Sequence, residues 1–343
     1  MKNTFYTIGL FFLMACSSSQ TTTQEDLNID YAAKFAETIT AENLKTHLYI
    51  FASDEFEGRN TGEPGQKKAV NYLKDFYVSQ KITSPLDGDN YFQKVPSDFL
   101  NKNSRRSTLK DSENVLAFIK GTEKPDEIVV ISAHLDHEGI KNGKIYNGAD
   151  DDGSGSVAIL EIAEAFKKAE KAGKGPKRSI LFLHVTGEEK GLLGSKYYTE
   201  NPIFPLTNTV CNLNIDMIGR IDDAHKTDPN YVYLIGADKL STELHQVSDS
   251  VNTKYTNINL DYKYNDENDP NRFYYRSDHY NFAKHNIPVI FYFNGTHEDY
   301  HRPSDTPDKI EYELLEQRTR LVFHTAWEVA NRKTRLVVDK AGK

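Results

Sequence analysis

Cysteine is almost missing from this chain. Of 343 residues only Cys16 and Cys211 carry a thiol, so a disulfide framework is excluded as the source of stability. Long hydrophobic runs are missing as well. The apolar stretch at residues 5–14 is too short to span a bilayer. Positive charge is in deficit: 42 Lys and Arg stand against 50 Asp and Glu, a formal net charge of -8. With no arginine-rich face and no nucleic-acid motif, that balance argues against nucleic acid as a partner. Tryptophan occurs once, at Trp327, and no internal repeat is visible. Such a chain folds by burying a core, and Cys211, inside an apolar run, reads as a small buried side chain of a strand.

The first residues read as an export signal. Met1-Lys2-Asn3 is a short basic start, residues 5–14 are apolar, and Leu13-Met14-Ala15-Cys16 gives way to Ser17-Ser18-Ser19-Gln20. This placement resembles the lipobox of bacterial lipoproteins. The resemblance implies that Cys16 is lipidated, becomes the mature N-terminus and holds the protein on a membrane surface without a spanning helix. It implies a protein of the bacterial cell envelope, and Ser17 is compatible with the outer membrane. Residues 1–16 are then the signal peptide, 17–28 a polar flexible tether, and 29–343 a single domain whose first part, residues 31–80, is helical.

Within that domain the apolar pattern alternates. Thr40 and Asn43 bracket a helix start whose Leu44, Leu48 and Phe51 share a face, and residues 63–80 form a second helix. Residues 91–95 read as an edge strand and 97–112 as a polar surface loop. β-branched apolar runs follow at 115–119, 128–133, 180–186, 209–217, 231–235 and 289–293, separated by helical spacing at 154–169, 191–199, 239–251, 278–285 and 312–332. This is an α/β pattern: a mostly parallel or mixed central sheet flanked by helices on both faces. The segment 257–276, rich in Tyr, Asn and Asp, breaks the rhythm and reads as a cleft-lining insertion.

Histidines and carboxylates gather at the strand ends, where open α/β sheets place ligands. They are His134-Leu135-Asp136, the run Asp150-Asp151-Asp152 between glycines, Glu188-Glu189, Asp216 and His301. In His-x-Asp the histidine can ligate a metal while a carboxylate orients it; His137 is the weaker ligand candidate. Three consecutive aspartates repel one another unless a cation offsets them. Adjacent glutamates at a strand end point different ways, so one can bind metal while the other faces the water as general base. The set is what two zinc ions and a hydrolytic water need.

Taken together these residues resemble the co-catalytic di-zinc aminopeptidase family, which includes glutamate carboxypeptidase-like and glutaminyl cyclase-like members. The likeness covers nearly the whole mature chain, including residues 48–59, which end in Asp54-Glu55-Phe56-Glu57-Gly58-Arg59. It implies a zinc exopeptidase fold of the phosphorylase/hydrolase-like kind and two zinc ions per chain. His134 and Asp216 would bind one, Glu189 and His301 the other, and Asp151 both. Glu188 would be the general base, Asp136 would orient His134, Asp152 would stand behind the bridge, and Tyr274 would stabilise the oxyanion, with Tyr275 as its neighbouring alternative. His301 is preferred to His297 and His279 because Asp305-Thr306 and Asp308 follow it.

The expected activity is removal of N-terminal residues from peptide substrates. Three alternatives stay open. A carboxypeptidase or dipeptidase would grip the substrate carboxylate with Arg220, Arg272 or Arg276. A glutaminyl cyclase-like transferase would want a tryptophan pocket, and Trp327 lies far along the chain from the motifs. A non-catalytic surface binding module would have lost ligands or Glu188. Oligomeric state is not legible in the sequence.

Overall fold

The computed structural model describes Met1, residues 29–104 and residues 108–341. Cys16, the signal peptide and the tether lie outside the described residues.

In chain order the elements are α1 (Tyr31–Ala36), α2 (Ala41–Phe51), α3 (Pro64–Gln80), β1 (Phe92–Val95), α4 (Ser97–Asn103), β2 (Ser112–Ile119), β3 (Lys124–His134), β4 (Gly139–Lys141) and β5 (Lys144–Tyr146). Then come α5 (Gly155–Lys171), β6 (Arg178–Val185), α6 (Leu193–Glu200), β7 (Thr209–Ile215), β8 (Tyr231–Ile235), α7 (Thr242–Val251), β9 (Asn259–Asp261), α8 (His279–Ala283), β10 (Val289–Phe293) and α9 (Tyr312–Asn331). Eight strands make one mixed sheet in the order β1-β2-β6-β3-β7-β10-β8-β9, with β4 and β5 a separate hairpin. The four central strands β6, β3, β7 and β10 run parallel to one another. β2 is antiparallel to β6 and β8 to β10.

The period-2 alternation of β3 divides the core. Val129 and Ile131 pack with residues of α2, α3, α5 and α9, whereas Ile128 and Val130 pack with Tyr198 of α6 and Phe282 of α8. Both faces of the sheet are therefore covered, which is why its central strands are apolar throughout rather than alternating. Cys211 is buried in β7. Among the described residues no helix is long and apolar enough to cross a membrane.

Two local expectations need correction. Residues 97–103 form the helix α4 rather than a loop. Its one buried residue, Leu100, is held by Val95 and Leu193 from other elements, so the helix leaves almost no apolar period in the sequence. At the start of α2, Thr40 caps the Asn43 N–H as expected, but the Asn43 side chain donates to Glu161 of α5 instead of reaching back to the cap.

The topology sets the site. From β3 the chain crosses α5 to β6 on one side, then α6 to β7 on the other, so the strand order reverses at β3. A crevice opens outside the carboxyl ends of strands at such a reversal.

Candidate metal centre

Four parallel strands deliver the chemistry. β3 ends at His134, Glu188 and Glu189 follow β6, Asp216 follows β7, and the loop after β10 carries His297 and His301. Asp150, Asp151 and Asp152 lie in the irregular turn entering α5. The peptide bonds after Asp151 and Asp216 are both cis.

The structure brings together the residues the sequence singled out. His134 Nε2 lies 3.1 Å from Asp151 Oδ1 and 3.6 Å from Asp216 Oδ1. His301 Nε2 lies 2.9 Å from Asp151 Oδ2 and 3.4 Å from Glu189 Oε1. Asp151 is thus shared by two clusters. The other His134 nitrogen, Nδ1, meets the Asp136 main-chain carbonyl at 2.9 Å. With the proton on Nδ1, the Nε2 lone pair points toward the carboxylates.

Asp136 does its work differently from the expectation. Its carboxylate is 4.0 Å from His134 Nδ1, and it accepts instead from the Thr61 hydroxyl (2.7 Å) and the Glu188 main-chain N–H (3.1 Å). The carbonyl of Asp136 orients the histidine while its carboxylate fixes the backbone of the glutamate pair. Asp152 bonds the main-chain N–H groups of His134 and Gly155, tying β3 to the start of α5. Asp216 receives the Ser277 hydroxyl, which a buried chain through Asn214, Ser132 and Asn212 supports.

Supports appear that sequence reading did not assign. Asp305 accepts from the Asp150 and Asp151 N–H groups at 3.0 to 3.2 Å and so shapes the aspartate turn. His297 is not in the cluster. Its Nδ1 accepts the Asp299 N–H, and its Nε2 faces Asp150 at 3.2 Å, behind the site. Buried Arg59 donates to the carbonyls of Leu135, Phe51, Asn147 and Gly148 at 2.6 to 3.0 Å.

The tyrosines also differ from the expectation. Tyr274 packs against Tyr275, His279 and Tyr280, and the charged groups that influence its hydroxyl do not belong to the cluster. Tyr300 stacks on His301, and after burial the influences on its hydroxyl are Asp151, Asp216, Glu188 and Glu189. The family resemblance pointed to Tyr274, and no local pattern marks Tyr300, which lies in the loop after β10.

Of the arginines weighed for gripping a carboxylate, Arg220 is paired with Asp299 at 3.0 Å. Arg272 lies over the Tyr275 ring and Arg276 over Phe273. The insertion at 257–276 contributes Tyr264, Asp266, Asp269, Arg272, Tyr274 and Tyr275 to a surface pocket. Met217, Phe273 and Phe293 belong to a buried apolar cluster, and Tyr274 and Tyr300 both pack against it.

The electrostatics call for cations. Burial, reinforced by neighbouring carboxylates, pushes Glu188 and Asp152 well above the ordinary carboxylate range, and burial raises Asp136. Asp278 is pushed up to about 7 and Asp305 to about 6, again chiefly by burial. His134 is raised despite its burial, because Asp216 and Asp151 face it. Glu189 is lowered despite burial, because His137 and His301 approach it. Arg59 supplies one buried positive charge, which does not offset so many carboxylates. Asp151 Oδ2 and Glu189 Oε1 are buried without a hydrogen-bond partner among the described residues. The groups His134, Asp152, Asp216 and His137, Asp151, Glu189 each bring three donor atoms within 4.8 Å of one another. Imidazole and carboxylate donors of this kind, with unpaired atoms turned inward, fit a pair of zinc ions.

Comparison with known proteins agrees with this geometry. The chain is 40% identical over 116 residues to a probable glutamate carboxypeptidase of Arthroderma benhamiae, covering 34% of this chain and 15% of that protein. It is 27% identical over 305 residues to a probable leucine aminopeptidase of Trichophyton verrucosum, covering 86% of this chain and 74% of that protein. A zinc aminopeptidase from Bacillus subtilis has a similar fold, with a TM-score of 0.64 and 17% identity over 86% of this chain and 97% of that one. The model for peptidase family M28 matches residues 114–326. That span runs from β2 into α9 and takes in every strand end that feeds the carboxylate cluster, so the chain belongs to peptidase family M28.

Proposed function

We propose that this protein is a dinuclear zinc exopeptidase that removes residues from the N-termini of peptides. The observation that carries the reading is the convergence of His134, Asp151, Asp216, Glu189 and His301 with Glu188 beside them. His134 and Asp216 would hold one zinc and Glu189 and His301 the other, with Asp151 between them. When bound, the zinc pair would supply an acidified water and a polarised scissile carbonyl. Glu188, whose main-chain N–H is anchored on Asp136, takes the proton of the attacking water and returns it to the leaving amine. The Tyr300 hydroxyl, which feels Asp151, Asp216, Glu188 and Glu189, is the tyrosine proposed as donor in this chemistry in place of Tyr274.

The arginines near the site favour the amino end of the substrate over the carboxyl end. Arg220, the arginine closest in sequence to Asp216, is already engaged by Asp299. To test this, matched peptides with free and N-acetylated ends are incubated with the protein, with and without chelator, and read by mass spectrometry. Chelator-sensitive loss of N-terminal residues from the free peptides alone is expected. Trimming from the carboxyl end, or equal trimming of blocked peptides, overturns the assignment.

The lipobox-like residues 13–16 support a second proposal, that lipid at Cys16 anchors the protein in the cell envelope, with the outer membrane as its destination. A single acyl chain gives only marginal binding, so stable anchoring of this kind takes a second signal. Cys16→Ser should abolish incorporation of labelled fatty acid; undiminished labelling would refute the anchor.

A further inference from the structure

His137 follows the ligand histidine by three positions and entered the sequence reading as the weaker candidate. In the structure it is completely buried, yet neither ring nitrogen has a hydrogen-bond partner among the described residues. Buried polar groups are nearly always paired, so a buried imidazole with two free nitrogens asks for an explanation.

Its surroundings supply one. His137 Nδ1 lies 2.8 Å from Glu189 Oε1 and 3.7 Å from Asp151 Oδ2. Neither oxygen has an aligned N–H···O bond, and the 2.8 Å approach of His137 to Glu189 is an ion-pair contact. Donors that share a metal behave this way. Bonds of about 2.0–2.2 Å in a tetrahedral shell leave the ligand atoms roughly 3–3.5 Å apart, and the two His137 separations of 2.8 and 3.7 Å fall on either side of that range. The separations of His301 Nε2 from Asp151 and Glu189, 2.9 and 3.4 Å, follow the same pattern. The His137 and His301 rings meet edge to face with centroids 5.7 Å apart.

The seat of His137 is built. Its main-chain N–H bonds the Arg59 carbonyl at 3.3 Å. Gly148, at φ +55, leaves the space the ring fills: a Cβ there would fall 2.4 Å from His137 Cγ. Side chain, glycine and buried arginine therefore agree on one ring position.

We infer that His137 is a further ligand, through Nδ1, of the zinc held by Glu189 and His301. This rests on the dinuclear reading above and sharpens it. The centre of His137, Asp151, Glu189 and His301 then has four protein donors and is closed. The centre of His134, Asp151 and Asp216 has three and keeps an open position. Closed shells hold metal and open ones do chemistry, so the two ions have unequal roles: the His134 centre receives the substrate, and the His137 centre holds its ion more tightly and keeps Asp151 and Glu189 in place.

The test uses the full-length protein, labelled with nitrogen-15 in histidine and loaded with cadmium-113 in place of zinc. One-bond metal–nitrogen couplings are expected at three rings: His134 Nε2, His301 Nε2 and His137 Nδ1, the last lost in His137→Gln. In competition with a chelator, with zinc alone as the probe, His137→Gln should weaken one zinc by more than the roughly 10–100-fold typical of a residue that only supports a ligand, and leave the other within a few-fold. Couplings at His134 and His301 but not at His137 would overturn this inference while sparing the dinuclear reading. Couplings at none of the three would overturn both. The coupling experiment on the unmodified protein decides the matter even where the variant folds poorly.

Discussion

Glu188→Gln should lower turnover of a free-amine peptide by about 10²–10⁴-fold, the usual worth of a positioned general base, while both zinc ions stay bound. The substitution keeps size and hydrogen-bonding reach and removes only the capacity to take a proton. Nothing structural depends on the lost charge: the main-chain N–H of residue 188, not its side chain, carries the bond to Asp136. The carboxyl itself sits in a setting that favours the protonated form. Burial acts first, with Asp216, Glu189 and Asp278 adding to it against the opposing pull of His134. Steady-state kinetics and zinc content settle the matter together. Loss of kcat with KM and zinc preserved is the expected result. Unchanged turnover would remove Glu188 from the chemistry, and loss of a zinc ion would make it a ligand instead.

Arg59→Met should destabilise the fold by about 3–5 kcal/mol, the usual cost of breaking a buried charged network by removing one partner. The side chain is fully buried, and its guanidinium stacks on Phe51, 4.6 Å from the ring centroid. Burial pushes its pKa down to about 10, against the pull of Asp305, Asp136, Asp151 and Asp152, so it stays charged at neutral pH. The backbone is shaped for it: Glu57, Gly58 and Arg59 have φ of 53, 66 and 50. A Cβ at Gly58 would meet the Tyr146 carbonyl at 2.3 Å. Two of the carbonyls it binds, Leu135 and Gly148, flank the His134 and Asp150–Asp152 turns, so metal affinity should fall along with stability. Arg59→Lys should recover little of the loss, because a single ammonium lacks the planar fork that reaches several carbonyls at once. Denaturant unfolding of metal-free protein measures the change. A loss below about 1 kcal/mol, the range of ordinary surface substitutions and mild core changes, would show that the four bonds contribute little.

The glutamate pair and the arginine mark two kinds of legibility. Glu188, Glu189, Asp216 and His134 were readable because each lies at or just past the end of an apolar strand, and strand and motif are local patterns. The β-branched runs at 231–235 and 289–293 came out as strands at those positions for the same reason. Asp136 was readable as part of the site but not in its action, because its carboxylate turns to Thr61, a residue 75 positions away. Arg59 carried no signal beyond a family likeness. Its partners at Leu135, Asn147 and Gly148 come within reach only once the N-terminal segment packs against the ends of β3 and α5.

The sequence alone therefore determined the alternation of strands and helices, the donor types and their order along the chain. Those follow from hydrophobic period and from chemistry that each short motif carries by itself. Tertiary structure decided which atoms face one another. It set the Asp136 carbonyl, not its carboxylate, against His134, put Tyr300 rather than Tyr274 beside the carboxylates, turned His297 away behind Asp150, and brought His137 against Glu189. Each of these depends on contacts between segments distant in the chain, and the direction of a side chain at such a contact is set by packing and buried hydrogen bonding, which no local pattern encodes.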